Sequence, residues 1–279
     1  MKKRFIPIFV LWICAVFTAI GQEASQNRYL ANRLIQAEAS WQPFPVLSTE
    51  HPSMDVNTAY RVQRRYLEHK LTVERLAGFK AGLTSQAGQQ KFGVDSPVAG
   101  ALFISGQLTG NPVIETNAFH RLMVETEIGF IIGAPITQPV PDTSTLQRSI
   151  KAIVPVIELP DLRFARGLPL TGADIIAANV AARQFIVGGS QSLDALDPNA
   201  VVVRLSFNGH EINQGKGHDA YGDQWQAALW LVNTMIEQGW TLVPGQILLT
   251  GALGKMLPGK PGQYLADYGR LGKIAFEIK

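Results

Sequence analysis

The segment Leu122–Phe130, LMVETEIGF, constrains this chain more than any other. Leu122, Val124, Thr126, Ile128 and Phe130 alternate with Met123, Glu125, Glu127 and Gly129, the period of a β-strand with one apolar face. On such a strand Glu125 and Glu127 share a face, roughly 6–7 Å apart along the backbone. Two anions held that close repel unless water screens them or a cation lies between them. The pair therefore reads either as an exposed feature of an edge strand or as half of a site for a hard divalent cation, which prefers oxygen ligands.

A second acid bears on that choice. Residues 152–159, AIVPVIEL, form an apolar run with Glu158 as its one charged member. A carboxylate there is costly to bury without a cation, a donor or solvent. Metal ligation makes it a natural third partner for Glu125 and Glu127. Ala77–Leu83, AGFKAGL, reads as a short strand with Lys80 near its centre, turned either to solvent or to an anion.

The start of the chain has a different character. Lys2, Lys3 and Arg4 precede the run 5–20, apolar except for Thr18, and Ala19-Ile20-Gly21 follow. This is the pattern of a secretory signal peptide over residues 1–21, with cleavage before Gln22 and export to the periplasm or beyond. The 16-residue run is slightly short for a membrane span. Removing it takes three of the 25 basic residues and none of the 22 acidic ones, so the remaining charges balance. Charge then gives no reason to expect a nucleic-acid partner or lasting membrane contact. The one cysteine, Cys14, leaves with the signal, so no disulfide is expected.

Helical spacing follows over 22–40, with Leu30, Leu34 and Ala37 on one face, and over 54–71, with Ala59, Val62, Tyr66 and Leu67 on another. Residues 22–75 read as an N-terminal helical layer and 76–279 as the main body. There, helices are expected over 143–150, 171–180 and 224–238, the last turning Trp225, Ala228, Leu229, Val232 and Ile236 inward. A hairpin is expected across Asn208-Gly209, and 215–221 reads as a loop carrying His218. Tyr221, Trp225 and Trp230 read as core. Many short strands with interspersed helices, lacking regular βαβ spacing, favour an α+β fold with a curled mixed β-sheet and flanking helices.

Residues 78–85 (GFKAGLTS), 124–133, 155–163, 222–231 (GDQWQAALWL) and 249–254 (LTGALG) resemble, in that order, the 2-keto-4-pentenoate hydratase and 2-oxo-3-hexenedioate decarboxylase group of the fumarylacetoacetate hydrolase superfamily. The resemblance implies a sheet of the fumarylacetoacetase C-terminal-like type in a homo-oligomer. It also implies Mg²⁺ or Mn²⁺ on Glu125, Glu127 and Glu158, with Lys80 close to a bound 2-oxo or 2-hydroxy-dienoate acid. Hydratase-like chemistry leads; decarboxylation, C–C hydrolysis or a binding role without catalysis are the alternatives on the same scaffold.

Three departures stand out. Where the family carries Pro-Asp-Phe-Gly, this chain has Pro97-Val98-Ala99-Gly100. Where it carries Ala-Asp-Asn-Ala-Ser-Ser, this chain has 177–182, Ala-Ala-Asn-Val-Ala-Ala. Its Gly-x-Pro before the long helix becomes Gly222-Asp223-Gln224. Val98 and Ala181 have no polar side-chain atom to move a proton. His218 is the candidate acid or base in compensation. Asp161 is included with Lys80 and His218 among the candidate catalytic residues, its expected contribution being an ion pair with Arg163 that orients Glu158.

Overall fold

The alternation of LMVETEIGF is realised as the middle of a long central strand, Met123–Ile132. Val124, Thr126, Ile128 and Phe130 are fully buried on one face. The computed structural model describes the backbone from residue 8, and side chains from residue 22, through residue 279. The expected signal segment, residues 1–21, lies outside the residues whose side chains are described. Among the described residues no helix is long and apolar enough to cross a membrane.

In chain order the helices are α1 (Ile8–Ala39), α2 (Leu47–Glu50), α3 (Val56–Lys70), α4 (Gln86–Phe92), α5 (Thr143–Ser149), α6 (Gly172–Ala177) and α7 (Gln224–Glu237). The strands are β1 (Leu76–Gly82), β2 (Val98–Phe103), β3 (Gln107–Thr109), β4 (Val113–Ile114), β5 (Met123–Ile132), β6 (Ile150–Leu159) and β7 (Gln184–Val187). They continue with β8 (Val202–Phe207), β9 (His210–Lys216), β10 (Ile247–Leu249), β11 (Leu257–Pro258), β12 (Gly262–Asp267) and β13 (Lys273–Ile278). Local chemistry sets several ends. The carboxylates of Asp55, Asp142 and Asp223 accept the amides of Thr58, Thr145 and Gln226 at the starts of α3, α5 and α7. Asn208 and Gly209, both at positive φ, close the β8–β9 hairpin.

Two sheets result. The larger runs β2-β1-β10-β5-β6-β7-β3, with β11 pairing beside β5; the smaller runs β4-β13-β12-β8-β9. The pairs β1–β10, β3–β7 and β13–β4 are parallel and the remainder antiparallel. This is the α+β architecture with a curled mixed sheet and flanking helices. One face of the large sheet packs on the helices through Phe79, Ala101, Ile128, Phe130 and Ile157. The other face holds a smaller apolar cluster that includes Leu102, Val154, Val156, Phe185, Ile247 and Leu249. The site lies on that second face.

Several expectations need correction. The segment 215–221 is not a loop throughout: β9 extends to Lys216, and residues 217–219 form a 3-10 turn. The helix expected over 171–180 ends at Ala177. It is followed by Asn179, Val180 and Ala181, all at positive φ. Helix α7 buries Gln224, Ala227, Ala228, Leu231, Val232 and Met235. Trp225, Leu229 and Ile236 are only half-buried, because so much of α7 is apolar that hydrophobicity alone does not select its inner face. Tyr221 is exposed.

Candidate metal centre

Strand pairing builds the site. In the β5–β6 register Glu125 lies opposite Glu158 and Glu127 opposite Val156. Directly paired residues project to the same face, so Glu158 joins the glutamate pair. Lys80 on β1 pairs with Leu249 on β10, which pairs in turn with Gly129 on β5. All four charged side chains therefore leave the sheet on one side, and its curl draws them together. One carboxylate oxygen from each of Glu125, Glu127 and Glu158 lies within 4.8 Å of the others. Lys80 donates to Glu158 Oε2 at 2.6 Å. Lys80 is 3% exposed and Glu158 0%. The solvent-facing reading of Lys80 is excluded.

The electrostatics follow from that crowding. Loss of hydration and repulsion from Glu158 push the Glu125 carboxyl up to about 7, with Lys80 pulling the other way. Glu127 is likewise raised well above the ordinary carboxylate range by burial, Glu158 and Glu125, against Lys80 and an amide. Burial works against the Lys80 ammonium, but the three carboxylates, Glu158 foremost, outweigh it and raise its pKa. The amide is the Gly251 N–H, which donates to Glu127 Oε2 at 2.9 Å. It is a contribution the residue-by-residue reading did not find. Its signal was the segment 249–254, and Gly251 takes φ +112, a conformation that suits glycine.

Glu158 Oε1 is buried and has no hydrogen-bond partner. Three carboxylates, one with an orphaned buried oxygen and two with raised pKa values, are a donor set short of positive charge. A hard divalent cation fits it.

Among the described residues Asp161 and His218 make no hydrogen bond or ion pair with this cluster. Both Asp161 oxygens are committed elsewhere: Oδ1 accepts the amides of His120 and Arg121, and Oδ2 lies 3.4 Å from the His120 ring. Arg163 does not pair with Asp161 as expected. Its Nη1 reaches Glu38 of α1 at 3.3 Å, while the Asp161 oxygens are already occupied by local partners. His218 is exposed, with Nδ1 at 2.9 Å from the Gly222 carbonyl. Among the described residues it has no hydrogen bond to the glutamates or to Lys80.

Val98 sits opposite Gly82, two pairs along from Lys80 opposite Gly100, so its side chain shares the face of Lys80. A Cβ at Gly82 would meet Val180 Cγ1 at 2.5 Å and Val98 Cγ2 at 3.5 Å. Two valines thus form an apolar wall beside the lysine. Val180 is held there by the left-handed turn, which Asn179 anchors. Its Oδ1 accepts the Ala101 amide at 2.7 Å and its Nδ2 donates to the Ala101 carbonyl at 2.9 Å.

The chain thus carries three convergent carboxylates and a buried lysine on the inner face of a half-barrel of mixed sheet, the arrangement of an α+β protein with an acidic, metal-accepting centre. Consistent with this, the profile of the fumarylacetoacetate (FAA) hydrolase C-terminal family matches residues 80–274. The chain belongs to that family, close to its 2-keto-4-pentenoate hydratase and 4-oxalocrotonate decarboxylase group. It is 32% identical over 239 residues to a 2-keto-4-pentenoate hydratase of Paraburkholderia xenovorans, covering 85% of this chain and 88% of that one. It is 26% identical over 235 residues to a 4-oxalocrotonate decarboxylase of a Pseudomonas species, covering 84% and 89%. Its fold matches that of the 4-oxalocrotonate decarboxylase from Pseudomonas putida complexed with magnesium and adipate. There the TM-score is 0.85 at 24% identity, over 91% of this chain and 98% of the other.

Proposed function

We propose that this chain is a divalent-metal-dependent lyase acting on a small 2-oxo or 2-hydroxy-dienoate acid, hydratase-like in its chemistry. The convergence of Glu125, Glu127 and Glu158 around an orphaned oxygen carries this reading. These three residues would hold Mg²⁺ or Mn²⁺. A cation held there would supply Lewis-acid stabilisation of the negative charge that develops on a 2-oxo acid. Lys80 contributes a fixed ammonium beside that charge, kept protonated by its three acidic neighbours. The Gly251 amide orients Glu127.

The Val98–Val180 wall favours a second reading, decarboxylation. Adding water to a double bond calls for a group that positions and deprotonates it, and neither valine has one. Loss of carbon dioxide asks mainly for charge stabilisation in a dry environment.

The deciding experiment incubates the purified chain with Mg²⁺ or Mn²⁺ and follows the ultraviolet absorbance of dienol and 2-oxo acids, with product masses separating hydration from decarboxylation. Turnover should need both the cation and Glu125. Equal turnover by Glu125→Ala, or after chelation, would refute the assignment. The charged start and apolar run of residues 1–21 support export. A homo-oligomer is the assembly expected with this fold. Mass measurement on the exported protein and sedimentation test these two points.

A further inference from the structure

Where α1 and α3 meet the ends of β2 and β6, beside the Asn179–Ala181 turn, lies a cavity of about 40 Å³. A buried water needs about 10–15 Å³, so there is room for about three waters or one small ion. None of Glu125, Glu127, Glu158 or Lys80 lines it. Arg163 does, at 6% exposure. Its Nη1 donates to Glu38, but Nε and Nη2 are buried without a partner. Those two N–H groups lie along one edge of the guanidinium and form the parallel fork that grips two oxygens of one anion. The plane of the fork is fixed: its carbon sits 4.3 Å from the Phe44 ring centroid and 5.4 Å from that of Trp41. The edge is the part left without a partner.

The surrounding charges say what it takes. Arg183 also lines the cavity, and its Nε is another buried donor without a partner. The carboxylates on the wall are engaged. Glu38 accepts from Tyr66, Lys70 and Arg163, Asp161 from two amides, and Glu74 from Ser105. Three cations, Lys70, Arg163 and Arg183, balance these three acids, so donors are in excess while formal charge is not. That combination suits a monoanion better than a dianion. Leaving charged donors unsatisfied in the interior is costly.

We propose that this cavity is a second ligand site, separate from the glutamate centre, which takes a small monocarboxylate on the Arg163 fork and Arg183. Its occupant also touches the Asn179–Ala181 turn, whose Val180 walls the glutamate centre, and so braces that wall from behind.

The test uses the full chain carrying Glu127→Gln, so that a carboxylate chelating a metal is not counted. Acetate is titrated by calorimetry against this protein and against versions with Arg163→Lys or Arg183→Gln added; crystals are soaked in bromoacetate. We expect saturable acetate binding, at least ~10-fold weaker in each arginine variant, and a bromine peak between the two guanidinium groups. Arg183 is partly exposed, so Arg183→Gln decides the matter if Arg163→Lys does not fold. Unchanged binding in Arg183→Gln, ordered water alone in the cavity, or tighter binding of inorganic phosphate than of acetate would overturn the proposal. Because the glutamate centre is disabled throughout, failure of the metal reading leaves this result untouched.

Discussion

Lys80 Nζ stands 2.6 Å from Glu158 Oε2, and neither side chain meets solvent to any useful extent. The pair is the electrostatic keystone of the inner face, because Glu125 and Glu127 add two more acids against one ammonium. Removing the lysine leaves Glu158 buried and uncompensated. Lys80→Met should therefore destabilise the metal-free protein by about 3–5 kcal/mol. Added Mg²⁺ should recover more stability in this variant than in the parent. Thermal unfolding with and without Mg²⁺ checks both.

Glu127 gives the opposite sign. Burial and the neighbouring carboxylates raise its pKa well above the ordinary value, so glutamine removes a charge that its surroundings oppose. Glu127→Gln should leave metal-free stability unchanged or higher. It should also abolish the stabilisation by metal, which for the parent is about 2.7 kcal/mol at a concentration 100 times Kd. Denaturant titrations at several Mg²⁺ concentrations measure it.

The pH dependence of the metal-free protein follows from Glu125. Its folded value, about 7, lies above the unfolded carboxylate value. Between those limits the folded state binds more protons than the unfolded chain, so stability should fall as pH rises through the window. Asp55 and Asp267 do not mask this. Hydrogen bonds from Thr58 and Lys273 lower their pKa values, and their contribution is lost only under more acidic conditions. Saturating Mg²⁺ should flatten or reverse the slope. Urea midpoints at intervals from pH 5 to pH 8 on the ~unit scale of such shifts test the sign.

Val98→Asp, combined with Val180→Ala to make room, places a carboxyl on the face of Lys80. We expect a loss of roughly 1–3 kcal/mol for the buried acid. Hydration should gain at least ~10-fold, toward the 10²–10⁴ that a general acid or base supplies. The gain should appear in kcat and bring a new limb in the rate–pH profile.

Asn179→Ala removes both ends of an amide that satisfies the N–H and C=O of Ala101. It also puts alanine at φ 58. About 2–4 kcal/mol should be lost, since two buried backbone groups go unpaired. Thermal unfolding measures the loss.

Much of the centre was legible because strand geometry is local. Glu125 and Glu127 share a face by the period of the backbone, and the cost of burying Glu158 is written in its apolar neighbours. The reading stopped where partners are distant. Arg163 looks like a partner for Asp161 two residues away, yet it pairs with Glu38, 125 positions earlier. Likewise Gln224 turns inward on α7 because it bonds the Gly217 carbonyl and Thr250 Oγ1. No helical periodicity encodes that. The left-handed turn at Asn179 rests on β2, which lies far away in sequence.

The insertion of β10 between β1 and β5 has a consequence for how the molecule is made. Lys80 and Glu127 lie on strands that do not touch, and residues 247–249 must fill the gap before the sheet can curl around them. A chain emerging from the ribosome can thus pair β5 with β6 and gather its three glutamates before β10 exists, but it cannot yet set Lys80 beside them. The lysine joins the carboxylates only when residues 247–249 are available, so fragments ending before β10 should leave the glutamates without their ammonium.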